Sequence, residues 1–413
     1  MNRKQFAILV VLLVVLGGAG LLLLKKQNQE SGAGEQGAGQ KILGDKFPIN
    51  DVAQITIKGG TNTLNLVKKD DAWRVRERDD YAANFTQISE TLIKLADLKA
   101  AQVEQVGPSQ LGRLELTPPG SEANSGTLLD LKDKDGKSLK SLTLGKKHVR
   151  KPQSATPSPY GDDGFPDGRY VMVSGNSQDA LLISDPLNNL DPKPSEWLKK
   201  DFFHVERPKA VAVTFPVATN SWKIVRDTES GDWKFADAKP DEKLDSTKAS
   251  GVSNPFSSPS FNDVLSLSAK PEDNGLDKPT LVTIDTFDDF TYTVKVGKKS
   301  GDDYPVNVAV AANFPKERIP AKDEKPEDKD KADKAWKERQ KQLETKLKDA
   351  QAFEKWTYLV PSYNVDPLLK EHKDLLEEKK KEEPKPADKA DASTPTDKKD
   401  EVKADATAEV KPN

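Results

Sequence analysis

Three histidines, His148, His204 and His372, are the whole supply of imidazole for proton transfer or metal ligation. No H-E-x-x-H or comparable spacing joins any two of them, so no zinc site is read. Adjacent carboxylates occur at Asp162/Asp163 and Asp302/Asp303. Such pairs have the chemistry for general acid and base work. Both, however, sit among turn residues, in a chain with 67 Asp and Glu. Asp133 and Asp135 ahead of Gly136 have the look of a calcium loop. Leu131 stands where its first carboxylate belongs and Leu142 where its closing Glu belongs, so a hairpin turn explains these residues better.

Glycine motifs fare no better. Gly32, Gly34 and Gly37 spell G-x-G-x-x-G, but dinucleotide binding needs a strand before the motif and a helix N-terminus after it. Here an apolar run precedes and a polar stretch follows. Gly145-Lys146-Lys147 and Gly297-Lys298-Lys299 lack the upstream glycine and the following Ser or Thr of a phosphate loop, and there is no G-x-S-x-G elbow. With no cysteine, thiol catalysis, thiolate metal sites and disulfides are excluded. The expectation is a protein that is not an enzyme, with no catalytic residue, no cofactor and no metal.

The elements that would position any site begin with an apolar segment. "MNRKQ" precedes Phe6–Leu24, an uncharged run of 19 residues flanked by Arg3 and Lys4 on one side and Lys25 and Lys26 on the other. As a helix it is about 28 Å long, close to the roughly 30 Å hydrocarbon core. It reads as an uncleaved anchor over residues 1–26, with a cleaved signal peptide near Ser31-Gly32-Ala33 as the other reading. The flanking charges tip slightly toward an inside N-terminus, which places the bulk of the chain outside the cytoplasm. Residues 27–45 are rich in Gly, Gln and Ala and read as a flexible linker.

Beyond the linker the chain repeats itself. "DAWRV" at Asp71–Val75 returns as "GDWKF" at Gly231–Phe235. Period-2 pairs Ile55/Ile57, Leu64/Leu66 and Trp73/Val75 are matched by Val213/Phe215, Trp222/Ile224 and Trp233/Phe235, so each half opens with a three-stranded meander. An amphipathic helix is predicted in "NFTQISETLIKLADLKAA", with Asn84 as cap and a stripe through Phe85, Ile88, Leu92, Leu95 and Lys99. A shorter counterpart is predicted in "SFNDVLSLSA", around Phe261, Val264 and Leu265. Hairpins turning at Asp135-Gly136 and at Asp288-Asp289 follow, and both end in Gly-Lys-Lys. Further strand-like segments close each half.

The expected fold is therefore α+β: an N-terminal transmembrane helix, then two tandem, duplicated modules of mainly antiparallel sheet with a covering helix, at 46–204 and 205–372. Trp73 and Trp233 are read as equivalent core residues. A charged insertion at 316–354 contains a helix with a thin seam of Trp336, Leu343, Leu347 and Ala350. Two readings of it stand, a projecting partner-binding arm or a solvated insertion packed on its own module. Residues 373–413 are read as a disordered charged tail.

Lys and Arg number 64 against those 67 acids, for a formal net charge of -3, so no basic field favours nucleic acid. The anchor, the meander ending in "DAWRV" and "GLDKPTLVTI" at Gly275–Ile284 resemble a domain-of-unknown-function family of membrane-anchored bacterial proteins. The first module has "LGRLELTPPG" where the family phrase would stand. The resemblance implies an accessory periplasmic component beside ABC-type transporters related to the gliding-motility system, and no family active site. The expected function is a scaffold or auxiliary subunit of such a complex in the bacterial inner membrane. The partners expected are the membrane and transporter subunits. A ligand- or glycan-binding module using the cleft between the repeats is the alternative.

Overall fold

Alternating apolar and polar residues put every second side chain of a strand on one face, and this chain uses that rule to build two one-sided sheets. The computed structural model describes residues 38–120, 124–150, 164–175, 179–320 and 324–378. The apolar run Phe6–Leu24 with Arg3, Lys4, Lys25 and Lys26, the linker as far as residue 37, and the tail from residue 379 lie outside the described residues. Among the described residues no helix is long and apolar enough to cross a membrane.

The first sheet comprises β1 (Gln54–Gly59), β2 (Asn62–Lys69), β3 (Ala72–Val75), β4 (Tyr81–Ala82), β5 (Ala100–Gln105), β6 (Thr127–Lys132), β7 (Ser138–Arg150), β8 (Phe165–Val173) and β9 (Asp179–Ile183). Its order is β4-β3-β2-β1-β6-β7-β8-β9-β5. Between β4 and β5 runs α1 (Phe85–Asp97), whose N-terminus is capped by the Asn84 carboxamide oxygen accepting from the Gln87 N–H at 3.2 Å. Ile88, Leu92 and Leu95 of α1 are buried with the Ile55, Ile57, Leu64 and Leu66 side of the sheet. Phe85 does not join the stripe. It begins the helix and is 65 % exposed.

The second sheet comprises β10 (Pro208–Thr214), β11 (Trp222–Val225), β12 (Lys234–Phe235), β13 (Asp263–Val264), β14 (Thr280–Thr286), β15 (Phe290–Val296), β16 (Asp303–Ala312) and β17 (Tyr358–Pro361). Its order is β12-β11-β10-β14-β15-β16-β17-β13. Removing β4 from the first sheet leaves the same order, strand for strand. Helices α2 (Ser246–Ser250), α3 (Pro271–Asn274), α4 (Lys329–Gln351) and α5 (Ser362–Val365) accompany it. Mostly antiparallel sheets with a few helices make the architecture α+β.

That correspondence corrects the helix predicted in "SFNDVLSLSA". The segment is extended: Asp263 pairs with Leu359 and Val264 with Tyr358, so β13 holds the edge that β5 holds in the first sheet. Phe261 and Val264 are buried as members of an extended edge, and their three-residue spacing only imitates a helical step. The helix in the position of α1 is α2, ahead of the Pro- and Ser-rich stretch at 251–260. There Asp245 accepts from the N–H groups of Thr247 and Lys248.

Two equivalent glycines explain the recurring Gly-Lys-Lys. A Cβ on Gly145 would lie 2.3 Å from the Leu114 carbonyl oxygen, and one on Gly297 would lie 2.3 Å from that of Asn274. The next residues, Glu115 (φ 55°) and Gly275 (φ 77°), both take the left-handed conformation. "ELTPP" at 115–119 is thus the structural counterpart of "GLDKP" at 275–279. Leu116 and Leu276 each pack against the facing glycine.

Buried residues of both sheets join in one continuous apolar cluster. Tyr81 on β4 links them, with its ring edge-on to Trp356 at 5.0 Å and to Phe261 at 6.0 Å. Trp73 is buried in the core, as its alternation predicts. Trp233 differs: it is half-buried just ahead of β12, under the Arg226 guanidinium at 4.9 Å.

Candidate functional site

The linker between the sheets carries two consecutive phenylalanines. Burial of Phe203 and Val205, with the Val205 N–H donating to the Phe256 carbonyl at 2.8 Å, fixes its course. Phe202 then stacks edge-on against Phe203 at 4.6 Å, Phe261 at 5.1 Å and Phe353 at 5.9 Å. Helix α4 lies alongside. A cavity of about 580 Å³ opens between them, floored by Phe202, Phe203, Ala350 and Phe353 and rimmed by His204, Glu338, Lys341, Gln342, Thr345, Lys346 and Asp349.

Ion pairs hold the helix that forms one wall. Lys346 donates to Glu206 at 2.5 Å and sits 5.3 Å from the centre of the Phe290 ring. That hydrogen bond keeps the Glu206 carboxyl below the usual carboxylate range. His204 Nε2 is 3.1 Å from the same carboxylate. Higher up, Asp288 accepts from Arg207 and from Arg339 of α4, each at 2.5 Å, and is only 10 % exposed. Arg207 also pairs with Glu229, and that hydrogen bond, with the one to Asp288, pushes the guanidinium up.

The C-terminal end of α4 closes a sheet edge. β17 pairs with β16 only as far as Val306. Beyond it the Val310 N–H donates to Glu354 Oε1 at 2.8 Å, and its carbonyl accepts from Gln351 Nε2 at 3.2 Å. Side chains thus occupy backbone groups that would otherwise invite another strand. Ala350 is buried, and Leu343 and Leu347 pack against the core. Three residues of the predicted seam thus pack on the body, while the fourth, Trp336, lies outside that cluster.

The arrangement can hold a group with an apolar face on the phenylalanine floor and polar atoms toward Lys341, Gln342 and Thr345. Glu206, paired with the rim Lys346, is held below the usual carboxylate range, the opposite of a poised general acid.

The residues that sequence chemistry singled out stay apart. His148 pairs with Asp167 at 2.6 Å, His204 lies on the groove rim, and the His372 ring is tilted against Phe235 at 4.7 Å. Asp303 accepts from Asn262 at 2.8 Å. Asp133 accepts from the N–H groups of Asp135 and Lys137 and so shapes the hairpin turn. Asp162, Asp163 and Gly32, Gly34 and Gly37 lie outside the described residues. Among the described residues no three His, Asp or Glu side chains converge as metal ligands. Sequence reading missed the groove. Its clearest signal was "FF" at Phe202-Phe203, two large apolar residues in a linker where polar ones are the rule.

Residues 160–279 match the model of a domain of unknown function, DUF4340. The matched stretch runs from the last strands of the first sheet through α3 of the second repeat. No curated protein and no solved structure matches the chain.

Proposed function

We propose that this chain is a single-pass, membrane-anchored extracytoplasmic protein that serves as a scaffold or auxiliary component of an ABC-type transport complex in the bacterial cell envelope. The observation that carries the reading is the 19-residue uncharged run Phe6–Leu24, bounded by Lys and Arg and placed ahead of a duplicated body. The continuous core under both sheets supports it, because a body that moves as one piece can keep two sheet faces and their edges in fixed relation to partners. The resemblance around Gly275–Ile284 supplies the class of partner.

The groove of Phe202, Phe203 and Phe353 favours a second reading, a module that binds a ligand with one apolar face. Fractionation tests the first reading. The full chain should resist carbonate extraction from inner membranes, and protease added to the extracytoplasmic side should degrade its body. Release into the soluble fraction, or protection from outside protease, would overturn the anchoring on which the reading depends.

A further inference from the structure

The longest strand pair leaves the sheet that contains it. β6 accompanies β7 only to Leu144, and β9 accompanies β8 only from Arg169 onward. Past those points His148 pairs with Gly168, Val149 with Pro166 and Arg150 with Phe165. Among the described residues these two stretches have only each other as strand neighbours. A two-stranded ribbon has no core of its own and is marginal in water. Its root is clamped by the buried Arg169, whose Nε donates to the Gly145 carbonyl at 2.8 Å.

The composition of the ribbon is selective. Lys146, Lys147 and Arg150 are exposed, and among the described residues none is in a salt bridge, although the Arg150 charge attracts Asp167 across the ribbon. The acid on the facing strand, Asp167, is engaged by His148 at 2.6 Å. Val149 pairs with Pro166 and Arg150 with Phe165, so the two exposed apolar side chains, Val149 at 40 % and Phe165 at 55 %, stand on opposite faces of the ribbon. Cations beside one exposed apolar side chain on each face of a narrow ribbon are the chemistry of an edge that meets anionic headgroups and dips apolar atoms below them.

The chain's own path supplies the neighbour. Ala100, Ile183, Arg169 and Lys147 form one row across β5, β9, β8 and β7. Lys41 bridges Lys99 at the start of that row, on the far side of β5. The first described residues therefore lie about four strand spacings, or about 19 Å, from β7. Residues 25–38 span at most about 48 Å. A bilayer entered by Phe6–Leu24 is thus within reach of the ribbon.

We propose that the ribbon of residues 146–150 and 165–168 is a contact site for the anionic headgroup surface of the membrane that holds the anchor. The inference rests on the anchoring reading above. It orients the body, setting the β7–β8 end of the first sheet against the bilayer and the β6–β7 turn away from it.

Because the chain has no cysteine, Val149→Cys accepts a single fluorophore, and Asp135→Cys at the opposite end of β7 serves as control. Each full chain is placed in nanodiscs of phosphatidylcholine, with or without about one third phosphatidylglycerol, carrying a headgroup nitroxide quencher. The expected result is several-fold stronger quenching at position 149 in the anionic discs, lost at high salt, with position 135 unquenched. Adding Lys146→Gln, Lys147→Gln and Arg150→Gln should weaken the contact by about fivefold per cation. An inserted chain with equal quenching in both discs, or none, overturns the contact site and leaves the anchor standing. So does salt-sensitive protection at position 149 that depends on an added acidic protein and not on lipid. Failure to insert overturns both.

Discussion

Arg78 and Asp263, 185 positions apart, form a two-pronged ion pair: Nε donates to Oδ1 at 2.7 Å, and the adjacent NH2 donates to Oδ2 at 2.6 Å. Arg78 follows β3 of the first sheet, and Asp263 opens β13 of the second. Next to this pair the Leu267 N–H donates to the Asp79 carboxylate at 2.8 Å. The edges of the two repeats are thus joined by side chains rather than by a shared strand ladder.

Removing this pair should loosen the junction measurably. The two side chains are 24 % and 19 % exposed, so solvent screens the interaction only in part. A double-mutant cycle of Arg78→Ala and Asp263→Ala should give a coupling of about 1–2 kcal/mol in denaturant unfolding. Additive single effects would show that the contact is incidental.

The equivalence of Gly145 and Gly297 is testable with one methyl group each. Gly145→Ala and Gly297→Ala bring a Cβ against a backbone carbonyl and should each cost about 2 kcal/mol or more. Gly112→Ala meets nothing within 4 Å and should stay within about 0.5 kcal/mol. Neutral behaviour at Gly145 or Gly297 in thermal melts would contradict the close approach.

Alkaline pH should attack the aromatic cluster. Burial pushes the Tyr81 and Tyr292 phenols from 10.0 up to about 12, and it pushes Tyr358 up as well. The folded-state values lie above the unfolded one, so this contribution to stability is complete below about pH 10 and is lost as pH rises toward about 12. Part of the tyrosinate absorbance should therefore appear only together with loss of fold. Complete ionisation near pH 10 with the fold intact would refute this.

Helix α4 should depend on one carboxylate. Asp288→Asn weakens the acceptor for both Arg207 and Arg339 and should cost about 2 kcal/mol. Amide exchange across Lys329–Gln351 should speed up, while β15 and the first half of β16 hold. Unchanged exchange along α4 would mean that Lys346–Glu206 and the packing of Leu343, Leu347 and Ala350 hold the helix unaided.

The duplication was legible because it lies in local spacing. Ile57 to Leu64 and Phe215 to Trp222 are equal steps, and both hairpins end in Gly-Lys-Lys. The match of Glu115–Pro119 to Gly275–Pro279 was obscured, since Glu occupies a left-handed position where glycine is the usual cue. The leucine and proline at the same offsets were the surviving signal. The edge strand β13 was misread as a helix because two buried residues three apart fit both periods.

The groove was not legible. Its wall is fixed by pairs such as Glu206–Lys346, 140 positions apart. In a chain that is 32 % charged, composition cannot say which of many lysines meets which acid.

Crosslinking in intact membranes tests the proposed role. The full chain and a version lacking residues 1–26 would be crosslinked, extracted in mild detergent, affinity-purified and compared by mass spectrometry. Recovery of ABC-type transporter subunits with the full chain and not with the shortened one is the predicted result. Recovery of no membrane protein with either form would contradict the scaffold reading and leave the phenylalanine-floored groove as the functional centre of the molecule.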